Sequence, residues 1–232
     1  MDIGFLIEEI KKMLKDLPKS ETALEVINKS GIDPFKVLIA TILSHRTKDE
    51  NTRKAFQQLF SIYKDVKDIA EGDENKIKEL IKPAGLYRIK ARRIKEVSKI
   101  IIDQYNGKVP NDLEKLLSLP SVGRKTANCV LVYGFGKEAV PVDTHVHRVM
   151  NRLGFVNTKT PEETEFELMR KVDKKYWMDL NLIFVKFGQR ICKPIIPKCN
   201  ICNLTNYCKW YKEFSNKVYK KEFNFFPIRS HG

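Results

Sequence analysis

Four cysteines crowd into one short stretch, Cys192, Cys199, Cys202 and Cys208, separated by six, two and five residues. Thiolates at such spacings hold iron–sulfur clusters or structural zinc, because soft sulfur selects those metals and tight turns bring all four ligands to one centre. Structural zinc more often pairs two Cys-x-x-Cys knuckles, and only Cys199 and Cys202 form one here. The irregular spacing leans toward a [4Fe–4S] cluster, although spacing alone does not decide the metal. Disulfides are disfavoured, since the four lie near the end of a long chain without secretory features. Cys129 stands alone within an apolar run and reads as a small core residue.

A second constellation lies upstream. Leu119-Pro120-Ser121-Val122-Gly123-Arg124-Lys125-Thr126-Ala127 is a glycine-containing turn that opens directly into a helix. Its unpaired backbone N–H groups and the positive end of the helix dipole suit a phosphate oxygen, as in a helix–hairpin–helix clamp on DNA. An ordinary αα-hairpin is the plain alternative. Lys125 sharpens the first reading: in the first turn of a helix added positive charge is disfavoured, which favours the neutral amine that a nucleophile needs. Further on, Pro141-Val142-Asp143-Thr144-His145 sets a carboxylate at another helix start. Such a carboxylate can cap the helix and also stabilise the oxocarbenium-like charge of a sugar losing its base. His145 and His147, two residues apart, face different sides of a helix and form no two-histidine metal site; they read as packing or phosphate-facing residues.

The elements that must hold these residues are helices. Asp33-Pro34 opens one running through Leu43, Asp49 caps another with Ala55, Phe56, Leu59 and Phe60 on one face, and Asp73 starts a short one halted by Pro83. From about Arg88 to Tyr105, Ile94, Val97, Ile101 and Ile102 form a stripe, with Lys90, Arg92, Arg93, Lys95 and Lys99 expected on an exposed basic ridge. Asn111 or Asp112 begins a brief helix, another runs from Arg124 to Tyr133, and Asp143 caps one ending at Gly154. Thr160-Pro161-Glu162-Glu163 reads as a capping box, and a helix from Asn181 to Ile191 leads into the first cysteine. About ten helices with few strand-like alternations make the chain all-α.

With 232 residues and 42% hydrophobic content the chain is long and apolar enough to bury one or two cores. No stretch approaches the length of a membrane span, so a membrane role is excluded and a cytoplasmic, nucleoid-associated setting is expected. The formal charge is +14, roughly +12 once a bound four-thiolate cluster is counted with its ligands. Such an excess favours nucleic acid as the partner.

Taken together, the hairpin with Lys125, the Val142-Asp143-Thr144-His145 run and the cysteine spacing resemble the endonuclease III family of DNA glycosylases. Leu43-Ser44-His45-Arg46-Thr47-Lys48-Asp49 and Gly85-Leu86-Tyr87-Arg88-Ile89-Lys90-Ala91 extend the likeness from about Ile32 to Cys208. The resemblance implies a two-lobed helix–hairpin–helix glycosylase fold. Residues 27–137 would form a six-helix barrel lobe with the hairpin, 1–26 and 138–211 an iron–sulfur lobe, and 212–232 a basic aromatic tail.

It also implies a monomer acting on double-stranded DNA with damaged bases or abasic sites, removing oxidised pyrimidines and then cleaving the strand. Lys125 would attack C1′ of a flipped nucleotide with help from Asp143, while the four cysteines hold a [4Fe–4S] cluster. Leu86 resembles the wedge that enters the base stack. Arg46, where many relatives carry glutamine, would fill the vacated space and direct the opposite-base preference toward guanine, whose exposed groups are acceptors. Ser121, Val122, Gly123, Arg124 and His145 are expected on the backbone phosphates. Lys193 and Lys198, in a proline-stiffened loop between the first two cysteines, join them there. Ser121 stands where the family's turn commonly has glycine, and a left-handed backbone is less comfortable for serine. The alternatives are a mismatch or adenine glycosylase of the same superfamily, which Lys125 argues against, and a non-catalytic iron–sulfur DNA-binding module.

Overall fold

The computed structural model describes residues 2–18 and 33–215, the side chains of 214 and 215 excepted. Most of the expected C-terminal tail therefore lies outside the described residues. No strand occurs among them, and the all-α expectation holds. The chain divides into two compact units, one built from the described residues between 33 and 141, the other from 2–18 with 142–215.

The N-terminal helix α1, Ile3–Lys15, belongs to the second of these units. In the 33–141 unit the central post is helix α2, Pro34–Ser44. Asp33 Oδ1 accepts from the N–H groups of Phe35 and Lys36 at 2.9 and 3.2 Å, and Pro34 occupies the first turn. Phe35 to Leu43 are buried apart from Lys36, so α2 is covered on all sides, as expected of a helix apolar all round. Around it pack α3 (Asp49–Ile62), α6 (Tyr87–Tyr105) and α8 (Arg124–Cys129), whose last turn loosens into a π-helical turn, Val130–Gly134. Gly134 is required there: a Cβ would stand 2.9 Å from the Cα of Pro34. Helices α4 (Val66–Glu71), α5 (Glu74–Leu80) and α7 (Leu113–Leu117) complete the unit, with a 3₁₀ turn at Lys82–Ala84.

Two expectations are corrected here. Asp49 is the first residue of α3 and not its cap; Lys48 takes the cap position without a side-chain bond. A carboxylate inside the first turn still meets the positive end of the helix dipole, which is why the helix begins there without a cap. Lys90 does not join the basic ridge of α6 but is buried at 5% exposure.

The second unit is centred on α11, Trp177–Arg190, whose Leu180, Phe184 and Phe187 are buried. Helix α1 lays Ile3, Leu6, Ile7, Ile10 and Met13 against it. Helix α9, Thr144–Leu153, crosses α11 closely at Gly188, where a Cβ would stand 2.9 Å from the Cβ of His145. Helix α10, Pro161–Lys171, packs on α9. Thr160 caps α10, but Glu163 reaches the N–H of Lys159 at 2.8 Å, one residue before the position a capping box would use.

Candidate active site and cysteine cavity

The hairpin is built from local rules. Asp112 caps α7, and after Leu117 the chain turns back, with the N–H of Val122 donating to the Leu119 carbonyl at 3.2 Å. Val122, 6% exposed, anchors the turn in the core, while Ser121 and Gly123 stand exposed at its tip. Ser121 does adopt the left-handed conformation, with φ of 63°. Helix α8 then starts at Arg124, and Lys125 sits half-buried in its first turn. No described residue gives the Lys125 amine a hydrogen bond or an ion pair.

Behind Lys125 the next residue, Thr126, is buried, and its hydroxyl lies 3.1 Å from Nε2 of His45. Burial, and then the positive charges of Lys125 and Lys90, hold the His45 imidazole down at about 4, so it is neutral at physiological pH. The sequence named His45 only within the 43–49 run and gave it no role, because that role depends on a residue 81 positions away.

Two further loops in this unit carry unusual backbone. Arg46 and Leu86, both exposed, have φ of 52° and 47°, left-handed values that non-glycine residues adopt only when their surroundings impose them. With Ser121 they make three of the four such residues among those described, the fourth being Asn106 at the end of α6. All three are positions expected to face DNA.

In the other unit Asp143 caps α9, its Oδ1 accepting from the N–H groups of His145 and Val146, each at 2.8 Å. Its Oδ2 has no hydrogen-bond partner among the described residues. His145 and His147 do diverge. His145 Nδ1 lies 3.1 Å from the Arg148 guanidinium, whereas His147 Nδ1 lies 2.7 Å from the Thr164 hydroxyl on α10.

One turn and two turns beyond the cap, Arg148 and Arg152 tie α9 to the cysteine segment. Arg148 donates to the carbonyls of Gly188 and Cys192 at 2.8 and 2.9 Å. Arg152 donates to the carbonyls of Lys193 and Pro194 at 2.6 Å each, and its guanidinium stacks over Trp210, 4.7 Å from the ring centre. The loop between the first two cysteines is closed by the Ile191 carbonyl, which accepts from Lys193 at 2.9 Å and Lys198 at 2.8 Å. Lys193 and Lys198 have exposed side chains. Neither arginine was anticipated, although the four-residue spacing between them puts them on one helix face.

All four thiols line one cavity, of about 370 Å³ including its open mouth, whose other walls include Phe187, Pro197 and Trp210. Among the described residues no three metal-binding side chains stand close enough together for a single ion. Four thiols around a common cavity offer the soft sulfur ligands that a thiolate-bound metal centre requires. Backbone N–H groups aim at the sulfurs, that of Tyr211 lying 3.4 Å from Cys208 Sγ, where it would stabilise a thiolate. Burial first, and then the three neighbouring sulfurs, push the Cys202 thiol up to about 12, so its thiolate would need a positive partner.

Lys125, Arg46, Leu86, Ser121, Val122, Gly123 and Arg124 thus share one unit, while Asp143, His145, Lys193, Lys198 and the cysteines share the other. No helix among the described residues is long and apolar enough to cross a membrane. The chain is 48% identical over 208 residues to endonuclease III of Thermotoga maritima, spanning 89% of this chain and 94% of that one. Its fold is similar to a non-covalent endonuclease III–DNA complex, with a TM-score of 0.80, 36% identity, and coverage of 92% and 97%. It is also similar to a trapped endonuclease III–DNA covalent intermediate, with a TM-score of 0.77, 36% identity, and coverage of 90% and 95%. Residues 39–174 match the HhH-GPD superfamily base excision DNA repair protein family. The chain belongs to that family, and within it to the endonuclease III DNA glycosylases.

Proposed function

We infer that this enzyme excises oxidised pyrimidines from duplex DNA and cleaves the resulting abasic site through a Schiff base on Lys125. The Lys125 amine, half-buried at the start of α8 with no partner among the described residues, is the observation that carries this reading. Its lone pair attacks C1′ of the flipped nucleotide, and the C1′–N bond breaks as the base departs with the electron pair and gains a proton. Opening of the sugar gives an iminium between C1′ and Nζ. Loss of a C2′ proton then expels the 3′ phosphate, and water releases the lysine. Asp143, with Oδ1 engaged in the cap, offers Oδ2 to the charge developing at the sugar and to proton transfer.

Leu86 serves as the wedge and Arg46 as the filler of the vacated space. The hairpin residues, His145, Lys193 and Lys198 hold phosphates. The four cysteines bind a [4Fe–4S] cluster that cross-links their loop; excision and elimination transfer no electrons, so its contribution is structural. The enzyme acts as a monomer, in the compartment that holds the genome.

A 5′-labelled duplex with one oxidised pyrimidine tests this. Base release and cleavage 3′ of the site should proceed together. Base release without cleavage would indicate a mismatch or adenine glycosylase instead, and binding without either a non-catalytic module.

A further inference from the structure

Lys90 lies on the apolar stripe of α6, in register with Ile94, Val97 and Ile101, and is buried with them. An ammonium is seldom buried without a carboxylate, yet none pairs with it among the described residues. Four oxygens take that place. Lys90 Nζ lies 2.7 Å from the Leu43 carbonyl, 2.8 Å from those of His45 and Ala84, and 2.7 Å from the Thr47 hydroxyl, four acceptors that share its three N–H protons. The Thr47 hydroxyl in turn donates to the Ala84 carbonyl. One side chain therefore binds both the turn that joins α2 to α3 and the turn that precedes α6.

Those are the turns whose exposed tips are Arg46 and Leu86, each with left-handed backbone. The chain leaves Leu86 straight into α6, where the Leu86 carbonyl accepts from the N–H of Lys90 itself at 3.0 Å. Lys90 is thus bonded through its side chain to residues on both sides of Arg46, and through its backbone to Leu86. It spends all its protons within the protein, and its buried nitrogen is unavailable as a nucleophile.

We propose that Lys90 is a positioning residue that fastens the 43–47 and 84–86 turns into one rigid element, so that Arg46 and Leu86 enter the DNA stack as a fixed pair. This rests on the roles given to Arg46 and Leu86 under the proposed function. Opening a base pair is uphill, and two turns already held in the inserting conformation lose no further freedom when they enter. Single-stranded DNA, with no pair to open, needs no such element.

The test compares the wild type with Lys90→Met, which keeps the length and removes the donors, and with Thr47→Val, which removes one acceptor. Each is given a duplex with a paired oxidised pyrimidine, and single-stranded DNA with a preformed abasic site for borohydride trapping. We expect Lys90→Met to lower single-turnover excision from the duplex by about 10²-fold, in the range that misplacement of positioned groups produces. Trapping on single-stranded abasic DNA should stay within about twofold of wild type, and Thr47→Val should show a smaller loss in the same direction. The fluorescence rise of 2-aminopurine placed opposite the lesion, which reports its unstacking on binding, should shrink in parallel. Equal losses on both substrates would reduce Lys90 to structural support, and no loss on the duplex would remove it from recognition; either overturns the proposal. Should Lys90→Met not fold, Thr47→Val alone decides by the same comparison. Failure of the wild type to trap abasic DNA would instead overturn the functional reading, and the proposal with it.

Discussion

Nε2 of His45 lies 3.1 Å from the hydroxyl of Thr126, the residue that follows Lys125. The contact joins the end of α2 to the helix that carries the nucleophile, and it places a neutral imidazole where a third cation would stand against Lys125 and Lys90. In the folded protein His45 takes up a proton only near pH 4, whereas in the unfolded chain it does so near 6.5. Its stabilising effect is therefore complete above about pH 6.5 and is lost as the pH falls toward 4, by up to about 3 kcal/mol. His45→Gln should flatten the decline of urea-unfolding stability between pH 7 and 5. Parallel curves for the two proteins would show that His45 is not held neutral.

Asp143→Asn keeps an oxygen for the two N–H groups that Oδ1 now caps, and removes the charge. Helix α9 should stay intact while base excision falls by roughly 10²–10³, the range for loss of one electrostatic stabiliser. Asp143→Ala should in addition destabilise the protein by about 1 kcal/mol, the usual effect of removing a cap. Excision that survives the asparagine at full rate would leave Asp143 as a cap alone.

Ser121 holds a left-handed φ of 63° at the hairpin tip. Ser121→Gly should raise stability by about 1 kcal/mol in urea unfolding, because the Cβ that opposes this conformation is gone. A loss of stability would mean that the serine side chain more than offsets the strain.

The purified protein should be brown, with iron and labile sulfide in the proportions of a [4Fe–4S] centre, and Cys202→Ser should bleach it. Replacing Lys193 and Lys198 by alanine should weaken binding to damaged and undamaged duplexes alike. The slope of log K against log [salt] should then flatten by up to about two units, near 0.9 for each phosphate that is no longer neutralised. An unchanged slope would exclude the loop as a phosphate clamp.

What could be read from the sequence was what local chemistry decides. Asp33 before Pro34, Asp143 before Thr144 and the turn from Leu119 into Arg124 each announce a helix start through residues a few positions apart, and the structure has helices beginning there. Cys129, read as a core residue, is fully buried. What escaped the sequence depends on distant partners. Lys90 was assigned to the exposed ridge by its charge, although its place four residues before Ile94 puts it on the buried stripe; only the folded turns supply the oxygens that make burial tolerable. Arg148 and Arg152 drew no expectation, because the carbonyls they bind belong to a cysteine loop about forty residues further on.

The most direct measurement is borohydride trapping on an abasic duplex with the wild type and Lys125→Gln. The wild type should give a covalent protein–DNA adduct. Lys125→Gln should fold, bind the same duplex with similar affinity and give no adduct, because an amide cannot form a Schiff base. Trapping by Lys125→Gln at the wild-type level would contradict the assignment and move the nucleophile to another amine.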